Sequence, residues 1–320
     1  MAASKLATIG ILSLGDMGTG IAKLLVAKGF SVATNAKGRS QDTLDRVKAA
    51  QVENITSDID LVKKCDVLLS IVPPRDAAAT AQRVIDALSG GVKREPPLYF
   101  ADMNAVAPST IKDIAQKIDK AAVPVRFIDG SILGGPPAPK DSPEGEWEVP
   151  WLPASGPHKL ADIPGYGETL SKTLNIKHIS DTIGAASGLK MCFASLSKGY
   201  TAIAIQSYTT AQRLGVLGDL QEALAALAPA RVVQTEKGLV GMAPKAYRWV
   251  REMEEISKTH VEEGGFEPFI FQGAAGVYKS VAEDTVLGQE KIGQRKRGRT
   301  AEDIAAAMAE GLEQKRKKTD

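Results

Sequence analysis

The sequence predicts an α/β protein, with a doubly wound parallel sheet followed by an all-α C-terminal domain. Three observations predict it. Short apolar runs alternate with helical patterns over roughly the first 180 residues, the pattern of a parallel sheet. The first apolar run passes directly into a glycine-rich turn and a helix. After Gly184 the strand signals stop, and an Ala-, Leu- and Glu-rich sequence with helical periodicity takes over. The expected domains are therefore 1–183 and 184–320.

The first strand spans Ala7 to Leu12. It is followed by Ser13-Leu14-Gly15-Asp16-Met17-Gly18 and then a helix with Ile21, Leu24 and Leu25 on one face. A strand, a tight glycine turn and a helix N-terminus form a phosphate-binding device. Free N–H groups and the positive end of the helix dipole face an anion there. The pattern is SxGxxG, the dinucleotide fingerprint of a Rossmann-type domain with Ser13 in place of its first glycine. A plain tight turn would carry the same residues without the ligand.

The second strand, Phe30 to Asn35, ends twenty residues after Gly15. In NAD-specific sites an acidic residue near this place holds the ribose 2′-OH. Here the residue is Asn35, followed by Lys37, Gly38, Arg39 and Ser40. With no carboxylate in the segment to repel a 2′-phosphate, and two cations and a hydroxyl to hold one, NADP(H) is the expected cofactor. A solvated basic loop would look alike.

Ser57 to Cys65 reads as a short helix capped by Ser57 or Asp58. Asp66 to Val72 is a buried strand stopped by Pro73-Pro74, which places Val72 and Pro73 in the cofactor crevice. Arg75 to Leu88 is helical and ends at Gly90-Gly91. Leu98 to Ala101 is a strand leading through Asp102 and Asn104 to Pro108 and a helix from Ser109 to Ala121. Arg126 to Ile132 is a strand ending in Leu133-Gly134-Gly135. Pro136 to Pro150 reads as an exposed loop. Trp151 to Ser155 is an edge strand, because of Pro153. His158 to Leu174 reads as mostly helix, and Ile176 to Ile179 as a last strand.

Helices are expected over Ser187–Leu214, Leu217–Leu227, Pro229–Leu239, Pro244–Glu263 and Gly273–Leu287. The last helix is capped by Thr300, with Asp303 in a capping box. Long Ala/Leu-rich helices need their apolar faces covered, which points to a homodimer. The basic runs Arg295 to Arg299 and Lys315 to Lys318 read as surface or tail.

The chain has 320 residues, a net charge of +2 and two cysteines, Cys65 and Cys192. That charge, without a wide basic patch interleaved with aromatics, argues against nucleic acid. The cysteine count argues against a disulfide framework and fits a reducing, cytoplasmic compartment. No apolar run is long enough for a membrane span, and Met1 to Lys5 is too short for a signal peptide. His158, His178 and His260 are far apart in sequence, so no metal site is expected.

Taken together, Gly15-Asp16-Met17-Gly18, Val72-Pro73, Asp102-Met103-Asn104-Ala105-Val106-Ala107-Pro108, Gly134-Gly135 and Gly184-Ala185-Ala186-Ser187-Gly188-Leu189-Lys190 follow one another in a known order. The first 200 or so residues resemble the β-hydroxyacid dehydrogenase superfamily, which includes 3-hydroxyisobutyrate and 6-phosphogluconate dehydrogenases. The second half is similar to the helical phosphogluconate dehydrogenase-like C-terminal domain. The resemblance implies that Lys190 is the active-site lysine, and that Asn104, Gly134 and Gly135 bind substrate. The chain departs from the family at Ala194 (commonly Asn), at Asn104-Ala105 (Ser-Thr) and at Leu133 (Ser), so its pocket is more apolar.

The chemistry of Lys190 supports the same role. Alcohol oxidation requires a base for the hydroxyl proton, and an ordinary lysine, titrating at about 10.4, is a poor one. Burial near Met191 and Phe193 would favour the neutral amine. A lysine snorkelling from a helix face is the alternative. Three functions follow as expectations. The first is NADP(H)-dependent interconversion of alcohol and carbonyl on a small hydroxy acid. The second is NADPH-dependent imine reduction, and the third is an NADP(H)-binding sensor or scaffold without turnover. Asn104 would bind substrate or the nicotinamide carboxamide, or else cap the helix that follows it. The Gly134-Gly135 pair would present N–H groups to a substrate carboxylate or phosphate, or form a simple turn.

Overall fold

The computed structural model describes residues 6–92, 94–141, 145–290 and 294–319. Residues 1–5, on which the signal-peptide reading falls, lie outside this set. The chain divides into two compact units, Met1–Lys190 and Met191–Asp320.

In the first unit, strands β1 (Thr8–Leu12), β2 (Ser31–Thr34), β3 (Glu53–Asn54), β4 (Val67–Ser70), β5 (Leu98–Asp102) and β6 (Val125–Gly130) run parallel in the order β3-β2-β1-β4-β5-β6. They are connected by α1 (Asp16–Ala27), α2 (Gln41–Ala49), α3 (Asp58–Lys64), α4 (Ala77–Ser89) and α5 (Pro108–Ala121). The chain works outward from β1 to β3, then returns to β4 on the other side of β1. That reversal opens a crevice at the carboxyl ends of the strands. The sequence reading missed β3, whose two residues are exposed and carry no apolar signal.

Apolar side chains cover both faces of the sheet, which explains the near-continuous apolar runs of its strands. Ile9, Ile11, Val67, Leu69 and Ala101 pack on one face with Ile21, Leu24 and Leu25 of α1. Leu12, Leu68, Leu98 and Phe100 pack on the other with Leu61, Val84, Leu88 and Ile111.

The later strands depart from expectation. The Pro136–Pro150 stretch carries a small antiparallel ladder of β7 (Ala138–Pro139) and β8 (Trp147–Glu148), with residues 142–144 outside the described set. Strand β9 (Leu152–Ser155) lies antiparallel to β6, and β10 (Ile176–Ser180) lies parallel to β9. Among its described residues the link from β6 to β9 holds no helix, and the chain returns antiparallel instead of crossing over.

Pro153 is therefore not on an edge, because β9 sits between β6 and β10. The Ser131 N–H donates to the Pro153 carbonyl at 2.9 Å, and only the reciprocal bond is missing. Leu133 and Trp151, one pair further on, exchange both bonds at 2.9 and 3.1 Å. The helix expected over His158–Leu174 is broken into a 3-10 turn, Leu160–Asp162, and α6 (Gly167–Thr173). Pro164 and Gly165, the latter at φ +86°, interrupt it.

Helix α7 (Ala185–Leu214) begins in the first unit and runs into the second. The second unit continues with α8 (Leu217–Leu227), α9 (Pro229–Met242), α10 (Ala246–Glu262), α11 (Phe269–Asp284) and α12 (Ala301–Thr319). Leu239, Met242, Met253, Ile256, Tyr278, Val281 and Ile304 form its buried core. Trp249 packs edge-on against Tyr278 at 5.2 Å.

The Thr300 hydroxyl caps α12 by accepting from Asp303 N at 3.2 Å. Asp303 does not complete a capping box, because its carboxylate holds Arg297 at 2.7 Å and the Gly298 N–H. The run at 295–299 is thus built into the fold, with Arg295 also donating to Val240 O at 2.6 Å. Cys65 is buried and Cys192 exposed, and both are free thiols. No described helix is long and apolar enough to cross a membrane. Among the described residues, no group of three His, Cys, Asp or Glu could hold a metal.

Candidate active site

The glycine turn joins β1 to α1. Ser13 N donates to Ile71 O at 3.2 Å, which ties the turn to the exit of β4. Leu14 is buried, and its carbonyl accepts from Arg46 Nε at 2.8 Å. Gly15 is the N-cap of α1 and supplies no side-chain cap. A Cβ built on Gly15 meets nothing within 4 Å, so the uncapped N–H groups lie beside open space. Asp16 is exposed, and Met17 packs on the core. A Cβ on Gly18 would sit 2.1 Å from Ser13 O, so the turn closes only with glycine there. An open, uncapped helix start with no Cβ in its path fits a dinucleotide pyrophosphate.

At the end of β2, Asn35 Oδ1 accepts from Lys37 N at 3.1 Å and closes a local turn. Its Nδ2 donates to Asp58 Oδ1 at 2.7 Å. Two nitrogens of Arg83, at 2.9 and 2.8 Å, clamp the Asp58 carboxylate in turn. The segment after β2 has no acid of its own, but the fold brings one from α3 and neutralises it from α4. Lys37 is exposed, and Ser40 Oγ pairs with Thr43 Oγ1 at 3.2 Å. Arg39 Nη2 reaches Ser13 Oγ at 3.4 Å. The sequence reading missed Arg46, which bonds both the turn and Thr43 (3.1 Å). Its signal was helical spacing, since Arg46 lies three residues after buried Thr43 on the inward side of α2.

Asn104 is buried and its amide is committed within the protein. Oδ1 accepts from Val72 N at 2.7 Å, and Nδ2 donates to Ser70 Oγ and Asp102 Oδ2, each at 2.9 Å. It does not cap α5, whose N-cap is Ala107. The geometry makes Asn104 the tie that fixes Val72 and Pro73 at the β4 exit.

Asp102 and Asp129 face each other in register at the ends of β5 and β6, and both are fully buried. Burial pushes Asp102 up to about 7, and the neighbouring Asp129 adds to the rise. Burial also raises Asp129, against the hydrogen bonds it accepts. Those come from Ser187 Oγ (2.6 Å), Ser155 Oγ (2.8 Å), Gly184 N (2.8 Å) and Ser187 N (3.3 Å). One carboxyl group thus takes the orphan N–H groups at the start of α7. The sequence reading did not single out Asp129; its signal was an acid inside an apolar strand.

The anchored first turn delivers Lys190. Its Nζ donates to Ile132 O at 2.7 Å, and burial pulls its pKa down to about 8. Two residues beyond Ile132, Gly134 adopts φ +135°, a conformation for glycine, with Pro150 against its Cβ position. Gly135 faces open space. Pro136 and Pro137 lie 3.0 Å from the Cβ position of Gly20, so this loop sits beside α1. Leu133 and Ala194 are buried.

Residues 8–143 match the family model of the NAD binding domain of 6-phosphogluconate dehydrogenase. Residues 211–281 match DUF1932, a domain of unknown function. An uncharacterised 28.5 kDa protein of Methanothermus fervidus is 25% identical over 276 residues, 86% of this chain and 99% of that one. The 3-hydroxyisobutyrate dehydrogenase of Salmonella typhimurium shares the fold at a TM-score of 0.61 and 19% identity, over 94% of this chain and 99% of the other. An imine reductase from Myxococcus stipitatus, solved with NADP+, aligns at 0.50 and 16% over 93% and 98% of the chains. The chain thus matches an NAD-binding domain model of the 6-phosphogluconate dehydrogenase type in its first unit and DUF1932 in its second, and shares its fold with 3-hydroxyisobutyrate dehydrogenases.

Proposed function

We propose that the protein is an NADP(H)-dependent oxidoreductase that interconverts an alcohol and a carbonyl on a small hydroxy acid or related carbonyl compound. The observation that carries this reading is the Lys190 amine, held on Ile132 O beside the Gly134-Gly135 turn with its pKa lowered to about 8. Bound nicotinamide would supply or accept the hydride. In the oxidising direction neutral Lys190 donates one N–H to Ile132 O and takes the substrate hydroxyl proton on its lone pair. In reduction the ammonium returns that proton to the carbonyl oxygen. Backbone N–H groups at Gly134 and Gly135 receive the substrate carboxylate. Ser13 to Gly18 take the pyrophosphate. Asn35, Lys37, Arg39 and Ser40, with Arg46, surround the 2′-phosphate.

Buried Leu133 and Ala194, where the resemblance leads one to expect Ser and Asn, favour a second reading, NADPH-dependent imine reduction. Assaying ketoacids and cyclic imines side by side with NADPH separates the two. Turnover of the acids alone supports the first reading, and turnover of the imines alone overturns it. The helical unit exposes Leu196, Phe269 and Ile270, which supports pairing of two copies; a monomer by light scattering rejects that. Free Cys65 and Cys192 accord with a cytoplasmic protein.

A further inference from the structure

We propose that Arg83 sets the cofactor choice by masking Asp58, so that the Asp58–Arg83 pair is the determinant of 2′-phosphate tolerance. The inference rests on the reading that the adenosine ribose of the dinucleotide lies at Asn35. An acid at the end of β2 binds a ribose 2′-OH and repels a 2′-phosphate. In this chain Asp58 supplies that acid from α3, 2.7 Å from the Asn35 amide. Its charge does not act alone, because Arg83 holds both carboxylate oxygens in a planar, bidentate pair. The pair is neutral as a whole, so Asp58 does not cancel the charges that Lys37, Arg39 and Arg46 bring to this corner.

Helix capping does not explain the placement of Asp58. Ser57 Oγ caps α3 by accepting from Asp60 N at 3.1 Å, while the Asp58 carboxylate turns to Asn35 and Arg83. Nor is the pair shut away from ligands: the side chains are 25% and 42% exposed, within reach of a ligand at the crevice. Removing the guanidinium would leave a bare carboxylate next to the 2′ position. That carboxylate would repel a phosphate and accept a hydrogen bond from a hydroxyl.

Equilibrium binding tests the proposal. NADPH and NADH are titrated by nicotinamide fluorescence, and 2′,5′-ADP and 5′-AMP by calorimetry, against the wild type, Arg83→Leu, Asp58→Asn and the double variant. Arg83→Leu is expected to lower the NADPH-to-NADH affinity ratio about tenfold, with the same shift between the two adenosine nucleotides. Asp58→Asn holds or raises the ratio, and adding it to Arg83→Leu restores the ratio. Arg83→Lys, which keeps the charge and loses the fork, falls between wild type and Arg83→Leu, and carries the test if Arg83→Leu fails to fold.

A ratio unchanged in a folded Arg83→Leu or Arg83→Lys overturns the proposal, as does a double variant that behaves like Arg83→Leu. A wild type that prefers NADH defeats the NADP preference alone, and the shift on substitution still judges the pair. A wild type that binds none of the four nucleotides overturns both.

Discussion

The two ends of the crevice handle charge in opposite ways. At the β2 end Lys37 and Arg39 are exposed, and the acid beside Asn35, Asp58, is neutralised by contact with Arg83. At the β6 end the two acids are buried and Lys190 is half-buried. Asp102, Asp129 and Lys190 are each shifted towards the neutral form by burial, the first two upward and the lysine downward. An exposed cluster selects a ligand by the sign and number of its charges. A buried group can instead exchange a proton near neutral pH. One sheet edge thus supplies both recognition and reactivity because solvent access changes along it.

The largest effect that would break this contrast is at Lys190. Lys190→Ala should lower turnover by about 10²–10⁴-fold while leaving the NADPH dissociation constant unchanged, measured by steady-state kinetics beside fluorescence titration. In the wild type, alcohol oxidation should rise with pH through about 8, because the neutral amine is the base. Carbonyl reduction should fall over the same interval. Profiles that are flat there remove the lysine from proton transfer.

Next in size is the anchor. Asp129→Ala strands the Ser155 and Ser187 hydroxyls and two backbone N–H groups. It should cost about 2–4 kcal/mol in a urea melt, with Asp129→Asn costing less. Equal midpoints for the variants and wild type would show that the start of α7 holds without it.

A smaller effect concerns Asp102, whose folded pKa of about 7 stands above the unfolded value of 3.8. The folded state binds the extra proton, so its stability is greatest below the unfolded pKa and falls as pH rises towards 7. The slope from this one group is at most about 1.4 kcal/mol per pH unit. Asp102→Asn should flatten urea midpoints taken at several pH values across that window; an undiminished slope would assign it to other groups. Smallest is Arg39→Ala, expected to weaken NADPH binding by roughly three- to tenfold, with NADH little changed and the difference shrinking in salt. An equal loss for both nucleotides would place Arg39 on the shared pyrophosphate instead.

What the sequence revealed of this crevice was what is local in the chain. Gly15 and Gly18 were legible because a tight turn makes its demands within six residues. Lys190 stood out as a charge in an apolar helix start. Asp58 was read only as part of a helix cap, because its meeting with Asn35 and Arg83 depends on how α3 and α4 pack around β2. Asp129 reads as one more residue inside the strand Arg126–Ile132, since nothing nearby in sequence announces that Gly184 and Ser187 will arrive against it. The direction of β9 was equally hidden: composition marks a strand but not its sense, and only the helix-free link after β6 hinted at a reversal.

The bonds from Gly184 and Ser187 to Asp129 also make α7 a ruler. Ser187 and Lys190 are three residues apart on one continuous helix, so the span from anchor to amine is fixed by helix geometry alone. One residue inserted between them would swing the amine by about 100° and carry it ~1.5 Å along the axis. The contact with Ile132 O would be lost even though every side chain was retained. The three steps from Ser187 to Lys190 therefore leave no room for a change in length.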